Sequence, residues 1–88
     1  MSDINTRDDF IALRAALENY LITRYGPVLT GEVLIKALGY ISKDAFRQSV
    51  IRKTVGVQLF ELDNRRGKYA LTKEVANFLA EKRCLSKI

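Results

Sequence analysis

Eighty-eight residues, 48% of them hydrophobic, with a formal net charge of +5, describe one small globular domain and not a disordered tail. The chain has no histidine and a single cysteine, Cys84. That excludes an internal disulfide, the usual zinc-ligand sets and the commonest general base, and no Gly-rich phosphate loop is present, so an enzyme is not expected. The apolar runs fall well short of the roughly 20 residues of a membrane span. Residues 1–6 have neither signal-peptide nor transit-peptide character, so the reading is a cytoplasmic protein without membrane contact.

Thr6-Arg7-Asp8-Asp9 opens the first element, with a capping hydroxyl and two carboxylates where the helix dipole favours them. Phe10, Leu13, Leu17, Tyr20 and Leu21 recur at helical spacing, and Tyr25-Gly26-Pro27 ends the run. A helix is predicted from about Arg7 to Arg24, making residues 7–25 a leading unit. Its stripe covers the core of a small domain or serves self-association.

Thr30 is the next cap, and Val33, Leu34, Ala37 and Leu38 form the buried face of a short helix that Gly39 stops. Ser42 caps a third helix running to about Lys53. At 100° per residue, Ala45, Phe46, Ser49 and Val50 share one side, and Lys43, Asp44, Arg47, Gln48 and Arg52 the other. Ile51 falls among the polar residues, where a purely solvated face has no use for it.

Val57-Gln58-Leu59-Phe60-Glu61-Leu62 is rich in strand formers, Asp63-Asn64-Arg65-Arg66-Gly67 is a turn, and Lys68-Tyr69-Ala70-Leu71 is the returning strand of a hairpin. Thr72 caps a last helix carrying Val75, Ala76, Phe78 and Leu79. Leu-Thr-x-Glu-Val occurs at 29–33 and again at 71–75, one helix-start solution used twice. The expected architecture is mainly α with a small β-hairpin, in the order α-α-α-β-β-α, forming a single domain over residues 1–88.

Charge is unevenly spread: residues 1–27 carry a net −1, and residues 28–88 a net +6. Such a balance suits a polyanionic partner. A short helix, a glycine-containing turn and a second helix with a basic outer face form a helix-turn-helix pattern, and the basic hairpin after it supplies a wing. The candidate DNA-binding residues are Ser42, Lys43, Arg47, Gln48 and Arg52 on the helix, with Asn64, Arg65, Arg66 and Lys68 on the wing. Arg47 has the fork that pairs with guanine and Gln48 the amide that pairs with adenine. Lys43 and the free amides of the helix start suit phosphate. The wing arginines suit phosphates or a narrow minor groove.

From Leu29 to Arg83 the chain resembles the small winged helix-turn-helix regulators of the excisionase and AlpA type, related to the MerR DNA-binding domain. "LTGEVLIKALGYIS" matches the first helix and turn, "KDAFRQSVIRK" the second helix, and "FELDNRRGKYALTKEVANFLAEKR" the wing and closing helix. The resemblance implies a winged helix-turn-helix at 29–83 that binds double-stranded DNA. It also implies a role in transcription or recombination directionality in a phage, plasmid or other mobile element. By position, it makes Lys43, Arg47 and Gln48 the readers, with Arg65, Arg66 and Lys68 on the wing. The chain departs from the family in having Gly56 where a proline often enters the wing, and in its leading segment of about 27 residues. No cofactor is expected, and a homodimer or cooperative multimer on DNA is a possible arrangement. Two rival readings stand beside this one: a basic face that meets an acidic protein, and an RNA binder.

Overall fold

The computed structural model describes residues 3–85, with side chains from Asp8 onward. Its elements are α1 (Asp3–Tyr25), β1 (Val28–Thr30), α2 (Gly31–Ala37), α3 (Lys43–Arg52), β2 (Tyr69–Leu71) and α4 (Thr72–Leu85). The fold is mainly helical with one small antiparallel strand pair, as expected, but the pair is not the expected one.

Helix α1 begins at Asp3, ahead of the expected Arg7, and the Thr6 cap concerns a side chain outside the described ones. Phe10, Leu13 and Leu17 are half-buried and Leu21 is buried, whereas Tyr20 stays 55% exposed at the margin of the stripe. The helix packs chiefly against α4, whose buried residues include Val75, Ala76 and Ala80. Two alanines one turn apart let the backbones approach closely, so these helices form the rear layer of the molecule. At 1.5 Å per residue α1 is about 34 Å long and α4 about 21 Å, so α1 outruns its partner. The molecule is accordingly drawn out, with principal extents of 48 × 27 × 18 Å.

Gly26, at φ +91°, ends α1, and its N–H donates to the Ile22 carbonyl at 2.8 Å. The chain then forms β1, which runs antiparallel to β2 with Val28 opposite Leu71, Leu29 opposite Ala70 and Thr30 opposite Tyr69. Each strand feeds directly into a helix, and this explains the repeated Leu-Thr-x-Glu-Val. The Thr30 hydroxyl donates to the Lys68 carbonyl at 2.8 Å. The Thr72 N–H donates to the Pro27 carbonyl at 2.8 Å and its hydroxyl to the Gly26 carbonyl at 2.7 Å. The two threonines thus occupy matching places in a local two-fold clasp. Neither acts as the side-chain cap that was expected: Thr30 has N-cap backbone geometry but no capping hydrogen bond, and Thr72 is already the first residue of α4.

The predicted strand Val57–Leu62 is the main correction. Only Phe60 pairs, exchanging both backbone hydrogen bonds with Tyr69 at 2.9 and 2.8 Å. The order is therefore α-β-α-α-β-α, in place of a local hairpin between two full strands. Packing explains the change. Val57 and Leu59 turn into the core formed by Leu21, Leu29, Leu34, Ala70 and Val75. Gly56 lies against Phe78, so close that a β-carbon there would overlap the ring. This segment is held by α4 and the core before it can extend along the free edge of β2.

Candidate nucleic-acid interface

Helix α2 ends as its glycine predicts. Gly39 has φ +89°; its N–H donates to the Lys36 carbonyl at 3.0 Å, and the Tyr40 N–H to the Ile35 carbonyl at 3.1 Å. These paired bonds satisfy the last carbonyls and turn the chain sharply. Ser42 then starts α3, its hydroxyl accepting from the Ala45 N–H at 3.1 Å. The Tyr40 and Phe46 rings meet edge-on with centroids 5.5 Å apart, which pins the turn to the inner side of α3.

Helix α3 stands proud of the fold. Ala45, Phe46, Ser49 and Val50 are half-buried, and no residue of the helix is fully buried. Lys43, Asp44, Arg47, Gln48, Ile51 and Arg52 are all exposed. The division of faces is the one that helical periodicity predicts. Arg47 and Asp44 are 3.9 Å apart with side chains 71% and 85% exposed, a loose contact that a stronger partner can displace. The helix ends on Lys53, a non-glycine residue in the left-handed region at φ +59°, with the Thr54 N–H on the Ser49 carbonyl at 2.9 Å.

The basic turn is held at its base and open at its tip. Phe60 and Tyr69 close the base through their backbone pair and stacked rings, with centroids 6.1 Å apart. The Lys68 ammonium donates to the Glu61 carboxylate at 2.8 Å. That contact lowers the Glu61 pKa from its ordinary value, first through the hydrogen bond and then through the lysine's charge. At the tip the Arg65 N–H donates to the Leu62 carbonyl at 3.2 Å, and Asn64 takes the left-handed position at φ +63° that asparagine tolerates. Gly67, at φ +93°, supplies the second left-handed residue, as the turn reading required. Arg65 and Arg66 are exposed, and among the described residues neither has a carboxylate partner within salt-bridge distance.

Between α3 and this turn runs a groove of about 440 Å³. Lys43 and Arg47 border it from α3, and Arg66 and Lys68 from the turn, while Phe46 and Val50 give it an apolar wall. These four cations are therefore brought to one side of the molecule. Gln48 and Arg52 sit on α3 away from the groove, and Asn64 and Arg65 are at the tip and do not line its wall. Two candidates have local duties: the Ser42 hydroxyl caps the helix, and the Lys68 charge is satisfied by Glu61. Sequence reasoning missed the groove's floor, where Thr30 and Gly31 lie beneath the turn, because it treated Thr30 as a cap alone. It also passed over Ile41, 95% exposed in the turn before α3, whose apolar character beside a serine cap was the available signal.

Among the described residues no cluster of histidine, cysteine, aspartate or glutamate is arranged to hold a metal ion. No described helix is long and apolar enough to cross a membrane. No protein-family model, curated protein or solved structure matches this chain.

Proposed function

We propose that this chain is a winged helix-turn-helix protein that binds double-stranded DNA, with α3 as the recognition helix and residues 60–69 as the wing. The reading rests chiefly on one observation: Lys43 and Arg47 of α3 and Arg66 of the basic turn border a single groove, on the same side of the molecule. A protruding ten-residue helix, about 15 Å long and 10–12 Å across with its side chains, suits a major groove about 12 Å wide. In that position Arg47 and Gln48 reach base edges, and Lys43 reaches a phosphate beside the helix start. Arg65 and Arg66 lie over the neighbouring backbone or minor groove. Helix α3 is carried by α2 and by the core against which Phe46 packs. Regulation of transcription, or of the direction of recombination, is the biological role this reading favours.

The experiment is a titration of labelled duplex DNA by fluorescence anisotropy across a series of salt concentrations. A phosphate-binding surface loses affinity linearly in log salt, with a slope of about −0.9 for each phosphate neutralised. A slope of about −3 to −5 is expected from the cations bordering the groove and tip. Absence of binding at low salt would overturn the proposal, as would tighter binding to structured RNA or to an acidic protein in direct competition.

A further inference from the structure

Ile51 is 72% exposed on α3. From the helical repeat it lies about 40° around the axis from Arg47, about 20° from Asp44 and about 60° from Gln48, near the middle of the exposed arc. It thus crowns the face that charge alone does not explain. Among the described residues the fold makes no use of it, for the inner side of α3 is made by Ala45, Phe46, Ser49 and Val50. A β-branched residue is also a poorer helix former than the lysine or glutamate that would otherwise suit a solvated position. Its stiffness becomes an advantage only when the side chain meets something, because little rotamer freedom is then lost.

We infer that Ile51 reads thymine, packing its side chain against the 5-methyl group in the major groove. The inference rests on the DNA-binding reading above and adds a specificity to it. Beside Ile51, Arg47 and Gln48 carry hydrogen-bonding groups that match base edges. The thymine methyl is the one apolar feature those edges present in the major groove. Arg47 and Ile51 are one helical turn apart, about 6 Å along the axis, so both reach the same few base pairs.

The test uses a duplex selected from a random pool by the full chain, then resynthesised with each thymine replaced singly by uracil, which removes only the methyl group. Binding is measured for the unmodified protein, for Ile51→Ala and for Leu85→Ala. Leu85 is an equally exposed aliphatic, 73%, on α4, and serves as the control. At one or two positions uracil is expected to weaken the unmodified protein about fourfold, the value of one buried methyl group. Ile51→Ala is expected to be indifferent to uracil at those positions, and Leu85→Ala to keep the full sensitivity. A selected duplex with no uracil-sensitive position overturns the inference and leaves the DNA reading intact. So does undiminished sensitivity in Ile51→Ala. Failure to select any duplex overturns both.

Discussion

Replacing Glu61 by glutamine is predicted to increase the salt dependence of DNA binding. In the free protein Lys68 is held by Glu61 at 2.8 Å, so a cation bordering the groove is already neutralised and has little counterion to displace from a phosphate. Glu61→Gln keeps the shape and a hydrogen-bond acceptor but removes the charge, which leaves the ammonium free to pair with DNA. One additional phosphate contact steepens the slope of log affinity against log salt by about 0.9. Between 50 and 200 mM salt the variant would therefore lose roughly three- to fourfold more affinity than the unmodified chain. Because the pair is solvent-exposed, the melting temperature should change little, and circular dichroism would check this. The double variant Glu61→Gln/Lys68→Gln should return to the original slope. An unchanged slope in Glu61→Gln, or a steeper one that persists in the double variant, would refute the reasoning that Lys68 is a DNA-facing cation held in check.

Three further outcomes are expected. Arg47→Ala should cost about 1–3 kcal/mol of specific affinity and relax the preference at one base pair, as read by competition among single-site duplex variants. Gly56→Ala should destabilise the fold by about 1–3 kcal/mol, lowering the melting temperature by about 4–8 °C for each kcal/mol, because the new methyl overlaps the Phe78 ring. Adding Phe78→Leu should recover part of that loss, and no recovery would place the strain elsewhere. Glu61 should titrate below the ordinary glutamate range, so its contact with Lys68 is present at neutral pH and is lost as the pH falls through that lowered pKa. Carboxyl-carbon NMR would follow this, with Lys68→Met restoring an ordinary midpoint and an unshifted native midpoint contradicting the contact.

The parts of this molecule that are legible in its sequence are those governed by neighbours a few residues apart. Periodicity alone separates the inner and outer faces of α3, and Ser42, Gly39 and Gly67 act at the positions their chemistry suggests. Tyr69 to Leu71 falls within the returning strand predicted for residues 68–71, but β1 and its pairing with β2 were beyond that range. Val28-Leu29-Thr30 is too short to show an alternating pattern, and its partner lies about forty residues later, so only tertiary contact reveals it. Val57 to Leu62 is rich in strand formers but alternates imperfectly, since Leu59 and Phe60 are adjacent apolar residues, and the same composition suits a chain that turns Val57 and Leu59 into a core. Lys68 carries the same ambiguity in the site: a lysine in a basic turn looks free until the fold brings Glu61 across to it. Ile51 was visible as an anomaly from the start, because the periodicity that defined the charged face also left it there.

The central claim is that duplex DNA lies across α3 and the wing. Backbone-amide NMR of the full chain, titrated with a selected duplex, tests it most directly. The largest shifts are expected in residues 43–52 and 62–68, with α1 and the middle of α4 almost unmoved. Shifts concentrated along α1 and α4, with residues 43–52 undisturbed, would contradict it.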